Sequence, residues 1–499
     1  MAPRMEITDR EETIVLSKEK KVTGTLLWIV IVACLGSMQY GYHLWIIYSP
    51  AVIIHHFHYL DDEALEIGNV DSPGFLLMIA LTMSVFPVGG TTGSLVFGPL
   101  VDKYGRKGAL FLNSFFAVIS CLIMVCANML HSFGLVMFAR FVIGISIGIY
   151  SSATPLYIAE ISPVKSRGAM SMLPYFFIAL GLVVAQILSF RELLGTHGGW
   201  PVLMSLSGIL ALFQCFLMTS FPESPRYLLI QRRDEEQARR VLRHLRGVSD
   251  VENEIEELHQ EDILEAEEKD MNALKLLTYR DLRWQVLSII VLMVAQQFSG
   301  VNSAYYYASK IYASMGISLN YIPYINLSSS TVIMGTILFT MLFIDSKGRR
   351  VLLLIGFGAI SIISLLLTIS IEIQKKNGNT WMLYTNIALV NLFINAQVIG
   401  PGSLRYLLMA ELFRQSSRSS AYVVGGFTHW IIHFFGILIY VQIKQYIGPY
   451  TFLVSLPFCV AAFLYIYKVI PETKNRTFME IYNLLSEEKK AAFDVEPDE

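Results

Sequence analysis

The sequence predicts an all-α, polytopic membrane protein: twelve transmembrane helices in two six-helix halves, joined by a helical cytoplasmic linker. Three observations predict it. Of 499 residues, 54% are hydrophobic and 16% charged, with a mean hydropathy of +0.52; a soluble chain of this length would need two or more domains with charged surfaces. Apolar runs of roughly 20 residues, enough to cross about 30 Å of hydrocarbon, recur along nearly the whole chain. Short charged motifs also repeat: DKYGRK at 102–107 matches DSKGRR at 345–350, Glu160 with Arg167 matches Glu411 with Arg418, and PESPR at 222–226 matches PETK at 471–474, at offsets of 243, 251 and 249.

Residues 1–23 are polar and charged, and the apolar run that follows is too long for the core of a cleavable signal, so it reads as a signal-anchor span. Spans 1 to 6 fall at approximately 24–48, 74–101, 108–130, 132–157, 168–190 and 198–221. Spans 7 to 12 fall at approximately 284–311, 320–344, 351–373, 382–412, 419–442 and 447–470. The domains expected are an N-terminal tail (1–23), a first half (24–221), a linker (222–282), a second half (283–470) and a C-terminal tail (471–499). Arg and Glu at helical spacing make the linker a solvated amphipathic segment.

Lys and Arg set the orientation. The tails and alternate loops carry 31 basic residues on one side, against five on the other: Arg191, Lys310, Lys375, Lys376 and Lys444. Both termini are therefore expected to be cytoplasmic. Arg140 and Arg405 are the two that lie inside spans. The net charge of −2 hides this asymmetry and gives no sign of nucleic acid; the expected partners are a small-molecule solute and the lipid bilayer, with the chain a monomer. Cys34, Cys121, Cys126, Cys215 and Cys459 fall in spans and read as buried free thiols without a disulfide framework. His55, His56 and His58 sit in the first outer loop, where a solvated loop is favoured over a metal clip. No metal site, cofactor, nucleophile motif or phosphate-binding loop is expected, so the chain does not read as an enzyme.

Homologous halves are the plan of transporters with a midplane site between them. Acids at the inner ends of spans 4 and 10, beside arginines at the inner ends of neighbouring spans, can pair when the inner side closes and part when it opens. The expected inner gate comprises Arg106, Glu160, Arg167, Glu223, Arg226, Arg349, Glu411 and Arg418. As half-exposed pairs these would contribute about 1 kcal/mol each, enough as a network to bias two states.

The motifs DKYGRK, ARFVIG (139–144), PESPR, QQFSGVNSAYYY (296–307), DSKGRR, GPG (400–402) and PETK together resemble those of sugar porters of the major facilitator superfamily. More closely, the chain resembles the animal facilitative hexose transporters. QYGY at 39–42, RWQVLSIIVLM at 283–293 and QSSR at 415–418 point to the class II branch that includes the fructose transporter. The resemblance covers about residues 24–480. It implies uniport by alternating access in the plasma membrane of a hexose such as fructose or glucose.

Sugar hydroxyls need amide and hydroxyl partners, because an unpaired buried hydroxyl is costly, and their apolar faces need aromatic walls. Gln296, Gln297 and Asn302 in span 7 match the family's sugar-binding amides, Tyr306 and Tyr307 its outer-gate tyrosines, and Gln39 a further polar group in span 1. Other pocket positions depart from the pattern. Tyr175 stands at the glutamine position of span 5, Ile333 at the asparagine position of span 8, and His433 at an asparagine position of span 11. Gln397 replaces a histidine of the fructose branch, while His429 and Trp430 keep the class II pair.

Span 10 departs most, because the family's GPGPIPW becomes GPGSLRY. Ser403 and Arg405 replace two prolines and Tyr406 a tryptophan, so the helix should be less broken below Gly402. Arg405 either snorkels towards the inner gate or turns into the cavity, where it must meet carbonyls, water or the solute. In span 1 the proton-coupled relatives carry an aspartate after the Gly-Tyr pair, where this chain has His43, with Arg140 as the matched arginine of span 4. No Asp or Glu occurs in span 1, which favours facilitated diffusion, and His43 reads as a neutral hydrogen-bonding group. The residues expected to bind substrate are thus Gln39, His43, Tyr175, Gln296, Gln297, Asn302, Gln397, Arg405, Tyr406, His429 and His433. Bulky rings at Trp45, Tyr48, Tyr175 and Tyr406 keep a second reading open: a facilitator of a non-hexose, anionic or heterocyclic ring solute such as urate. A non-transporting solute sensor is the third, disfavoured by the short tails.

Overall fold

The computed structural model describes residues 22–46, 73–190, 192–196, 198–264, 271–300, 312, 321–378, 380–447, 450–474, 476 and 480–481. Asn302, Tyr306, Tyr307, Tyr48 and the three histidines at 55, 56 and 58 lie outside them. The described residues are helical and turn, with no strand among them.

The first half begins at Gly24–Ala33, which continues as Leu35–Trp45. Thr23 caps it, its Oγ1 accepting from the Leu26 amide at 3.2 Å. Spans 2 and 3 run along Pro73–Met129 with a sharp break at Gly105. Span 4 is Phe133–Ile161, span 5 Arg167–Leu188, and span 6 Trp200–Ser205 followed by Ser207–Met218. In the second half, span 7 starts as Arg283–Phe298, span 8 is Ile322–Lys347 and span 9 Arg349–Asn377. Span 10 comprises Thr380–Gln397, a widened turn Val398–Gly402 and Arg405–Leu412; spans 11 and 12 are Gln415–Ile447 and Thr451–Val469. Several helices run past the expected ends, span 8 reaching Lys347 and span 4 Ile161. Apolarity marks hydrocarbon, whereas the hydrogen-bonded ladder continues into the loops.

Small residues set the closest packing. A Cβ on Gly89 of span 2 would lie 2.2 Å from the Phe141 carbonyl oxygen of span 4, and one on Gly144 of span 4 would lie 2.4 Å from that of Phe86. The outer faces carry large apolar side chains such as Leu122, Phe216, Leu342 and Ile362, each more than 60% exposed, as hydrocarbon contact requires. Cys34, Cys121 and Cys459 are buried, but Cys126 is exposed and Cys215 partly so. These two correct the expectation of five buried thiols, because a helix in hydrocarbon can turn an apolar thiol outward without penalty.

The linker folds as Glu235–Arg246, Glu252–Leu264 and Ala273–Thr278. Asp234 and Asn272 cap the first and third, accepting from the Gln237 and Lys275 amides at 3.0 Å each. Thr23 Oγ1 donates to the Leu245 carbonyl at 2.6 Å, tying the linker to the start of span 1.

Candidate functional site

The repeated motifs build one arrangement twice on the linker side. In the first half Arg106 Nε lies 2.9 Å from Glu160 Oε2, and the Ser224 hydroxyl donates to that carboxylate. In the second, Arg349 NH2 lies 3.2 Å from Glu411 Oε1, whose Oε2 accepts from Thr473 Oγ1 at 2.6 Å. Each motif glycine turns through positive φ, +80° at Gly105 and +94° at Gly348, bringing the following amides onto an acid. Glu223 accepts from the Arg106 and Lys107 amides at 2.9 and 3.0 Å, and Glu472 from the Arg349 and Arg350 amides at 2.8 and 3.1 Å. A Cβ on either glycine would lie 2.4 Å from the acid. Glu472 holds the place in the second half that Glu223 holds in the first, and the sequence reading missed it, although its match to Glu223 was visible in PETK. Burial pushes the Glu223 carboxyl above its ordinary range, opposed by the backbone N–H groups of Lys107 and Ser224.

Contacts also cross between the halves. Arg418 NH1 of span 11 lies 3.7 Å from Glu160 Oε1, and Asp345 Oδ2 of span 8 accepts from the Ala169 amide of span 5 at 3.0 Å. Arg167, the repeat partner of Arg418, is buried and feels the charge of Glu411. Arg226 pairs instead with the linker's Glu261 and lies 3.8 Å from Glu257, while Glu261 also lies 3.7 Å from Arg418 NH2. The gate pairs are not half-exposed as expected: both side chains of Arg106–Glu160 are 0% exposed, and those of Arg349–Glu411 are 1% and 2%. Ser224, Tyr227, Gln231 and Arg418 pack about the first pair, and Thr473 and Gly168 about the second. Breaking such a pair then costs about 3–5 kcal/mol rather than about 1, because a buried charge is left behind.

Above this gate a cavity of about 20 Å³ lies between the halves, room for a water-sized group. Spans 1, 4 and 5 line it with Ser37, Tyr40, Ser151, Ser171 and Tyr175, and span 10 lines it with Ser403 and Tyr406. Tyr40, Ser37 and Ser171 were missed in the sequence, where nothing separates one span tyrosine or serine from another. Arg405 is buried next to the cavity, beside its lining residues Tyr175 and Tyr406. It is 4% exposed, its guanidinium sits 4.9 Å from the Tyr406 ring centre and 6.0 Å from that of Tyr175, and Glu411 pairs with Arg349 instead. The span 10 backbone stays right-handed helical through Ser403 and Leu404, as the loss of two prolines implies. The break is a widened turn, held by Ser403 Oγ donating to the Val398 carbonyl at 2.8 Å.

Beside the cavity, Gln297 Nε2 donates to His429 Nδ1 at 2.7 Å, and its Oε1 lies 3.2 Å from His433 Nδ1. Gln397 Nε2 donates to the Gln296 carbonyl at 3.3 Å, leaving the side-chain oxygens of both glutamines without a partner. Trp430 joins this cluster to the tyrosines, its ring 5.5 Å from Tyr40 and its Nε1 3.4 Å from Ser151 Oγ. Ile333 is buried in span 8. Gln39 and His43 are held elsewhere, against span 6: Gln39 Nε2 donates to Gln214 at 3.3 Å, and His43 Nε2 lies 2.7 Å from Ser207 Oγ. Arg140 donates to the His43 carbonyl at 3.4 Å and lies 4.7 Å from the Phe86 ring centre. Groups of at least three His, Cys, Asp or Glu able to hold a metal do not occur among the described residues.

Residues 29–485 match the family model described as "Sugar (and other) transporter". The chain is 40% identical to mouse (Mus musculus) "Solute carrier family 2, facilitated glucose transporter member 5", covering 96% of each sequence. It is 38% identical to human (Homo sapiens) facilitated glucose transporter member 7 of the same family, over 96% of this chain and 95% of that one. Among solved structures, the proton:xylose symporter XylE of E. coli, bound to 6-bromo-6-deoxy-D-glucose, superposes with a TM-score of 0.80 at 19% identity, covering 93% of this chain and 100% of that one. The superposition shows the twelve-helix major facilitator fold.

Proposed function

The chain belongs to the sugar transporter family, and from that premise we propose that it is a facilitative carrier of a hexose, glucose or fructose, working by alternating access. The observation that carries the reading is a cavity between two halves that are joined on the linker side by polar contacts, the Glu160–Arg418 ion pair and the Asp345–Ala169 hydrogen bond, set among closely packed helices. Ion pairs can open to water at tolerable cost, because each charge is hydrated once exposed. In this mechanism the half formed by 24–221 rocks against that formed by 283–470. The pairs Glu160–Arg418 and Asp345–Ala169 part, and the solute leaves past them.

In the closed state the cavity admits a sugar only as the outer ends separate, with Gln296, Gln297, Gln397, His429 and His433 supplying hydrogen-bonding groups and Tyr175, Tyr406 and Arg405 the wall. Asn302 belongs to the same set by its motif, with Tyr306 and Tyr307 as the outer gate. His43 and Gln39, locked to span 6, act as supports of the first half. The absence of Asp and Glu from span 1 supports uniport. The basic-residue asymmetry supports cytoplasmic termini and a cytoplasmic linker, and the family a plasma-membrane location with one chain as the transport unit.

Purified protein in liposomes tests this. Saturable uptake of labelled glucose or fructose, unaffected by collapsing a proton gradient, is the expected result. Hexose flux that drives proton movement refutes uniport, and the absence of any hexose flux refutes the carrier reading in favour of a sensor or another cargo.

A further inference from the structure

The Arg405 guanidinium is a permanent charge that cannot be released by deprotonation. It is 4% exposed, and its Nε and NH1 have no hydrogen-bond partner. The ring faces of Tyr406 and Tyr175 attract it but cannot accept its in-plane N–H groups. Among the described residues, no carboxylate lines the adjoining cavity. Other polar atoms around that cavity are idle too: the hydroxyls of Tyr175 and Ser171 are buried without partners, and that of Tyr406 meets only the Arg405 guanidinium. Buried polar groups are ordinarily satisfied, so several orphans converging on one cavity mark a place where a partner is supplied from outside.

What the orphans have in common is donation. The guanidinium offers N–H groups in a planar fork, and the three hydroxyls offer an O–H each, a set suited to an oxyanion with two oxygens in one plane. The surroundings favour a flat body behind that head group. Tyr40, Tyr175 and Tyr406 wall the cavity, and Trp430 lies against Tyr40 at 5.5 Å between ring centres. Aromatic faces hold planar rings by offset stacking.

We infer that Arg405, Tyr175, Tyr406 and Ser171 form a subsite for the acidic group of a planar organic anion, an aromatic or heteroaromatic acid, within the cavity read above as the solute site. The inference rests on that reading only in assigning the cavity to the solute. Once the cavity, which in this closed form has room only for a water-sized group, widens as the halves rock, Arg405 donates its fork to the two oxygens, the hydroxyls complete their coordination, and the ring lies among the tyrosines and Trp430.

Orotate, a planar ring carboxylate ionised at neutral pH, and uracil, the same ring without the acid, are the probes. The first measurement is thermal stabilisation of the full-length purified protein, which reports binding whether or not hexose is carried. Orotate is expected to raise the melting temperature at concentrations at least tenfold below those needed for uracil. It is also expected to inhibit hexose uptake at least tenfold more strongly. In Arg405→Gln the discrimination should fall to about one, and in Arg405→Lys it should return in part. Equal effects of orotate and uracil on the wild type, in both measurements, overturn the inference whatever the variants do. If hexose uptake is present in that case, the carrier reading stands without the anion subsite. If orotate discrimination is present but hexose flux is absent, the subsite stands and the hexose reading falls. Stabilisation by chloride that matches that of orotate assigns Arg405 to an inorganic anion and overturns the proposal.

Discussion

The contact most directly tied to alternating access is Glu160–Arg418, because it joins the two halves. Glu160 keeps Arg106 and Ser224 as partners inside its own half, whereas Arg418 lies across the interface at 3.7 Å. At an effective dielectric of about 20, two charges at that separation attract by about 4.5 kcal/mol. Opening the linker side hydrates both charges and offsets part of this. A net coupling of about 2 kcal/mol is left, within the usual range for linked equilibria, and it corresponds to about a 30-fold shift between inward-closed and inward-open states.

A reporter cysteine at Ser403, which lines the cavity and is 2% exposed, reads that shift. The background should carry Cys126→Ala and Cys215→Ala, the two native thiols that are not buried. Glu160→Gln is expected to raise labelling of Ser403→Cys by an impermeant maleimide about 30-fold from the linker side, with no rise from the other side. In a double-mutant cycle with Arg418→Gln, the two effects should be non-additive by about the coupling energy. Strict additivity on a logarithmic scale, or unchanged labelling in both single variants, refutes the assignment of this pair to the gate.

Other expectations follow from the same geometry. Gly105→Ala and Gly348→Ala each put a Cβ in a left-handed turn, 2.4 Å from an acid. Each should cost about 1–3 kcal/mol, read as a lower melting temperature in detergent. Gly335→Ala, where the new Cβ meets nothing within 4 Å, should show no loss. Burial raises Glu223, so its contribution to stability is full below the ordinary carboxylate range and declines as pH rises through the raised value. Melting temperature should therefore fall with pH across that window in the wild type, and Glu223→Gln should flatten the slope. A Cβ on Gly90 of span 2 would lie 2.4 Å from the Trp430 ring of span 11. Gly90→Val should reduce hexose uptake at least tenfold by propping the halves apart, and unchanged uptake would show that this contact yields freely.

The fold was legible because hydrocarbon thickness imposes a minimum apolar length on every span. The repeated linker-side ion pairing was legible for a different reason. Pairing across a turn with positive φ requires Gly, Arg and Glu by type, and the repeat wrote that requirement twice, at 102–107 and 345–350. Its strength was misjudged, because burial of Arg106 and Glu160 depends on the linker folding over them and no single segment encodes that. The cavity was legible only in part. Gln297 and His429 match family motifs, His433 departs from one, and both histidines lie within hydrogen-bonding distance of Gln297, but Gln39 and His43, equally polar, turn to span 6. Periodicity says which residues share a face and not which neighbour that face meets.

Gate and cavity also differ in what they let change. Arg405 lies six residues before Glu411 along span 10, and Tyr175 eight after Arg167 along span 5, so roughly 9–12 Å of helix separates them. At that distance without shared partners, substitutions are expected to combine nearly additively. The gate residues are paired among themselves, so each constrains the others. The residues around the cavity hold several unfilled hydrogen-bonding positions, at Tyr175, Tyr406, Ser171 and Arg405. A carrier built this way can acquire an arginine and a tyrosine in place of proline and tryptophan without disturbing the pairs that close its linker side. Selectivity then varies through the groups that lack internal partners, and the two-state machinery persists through those that have them.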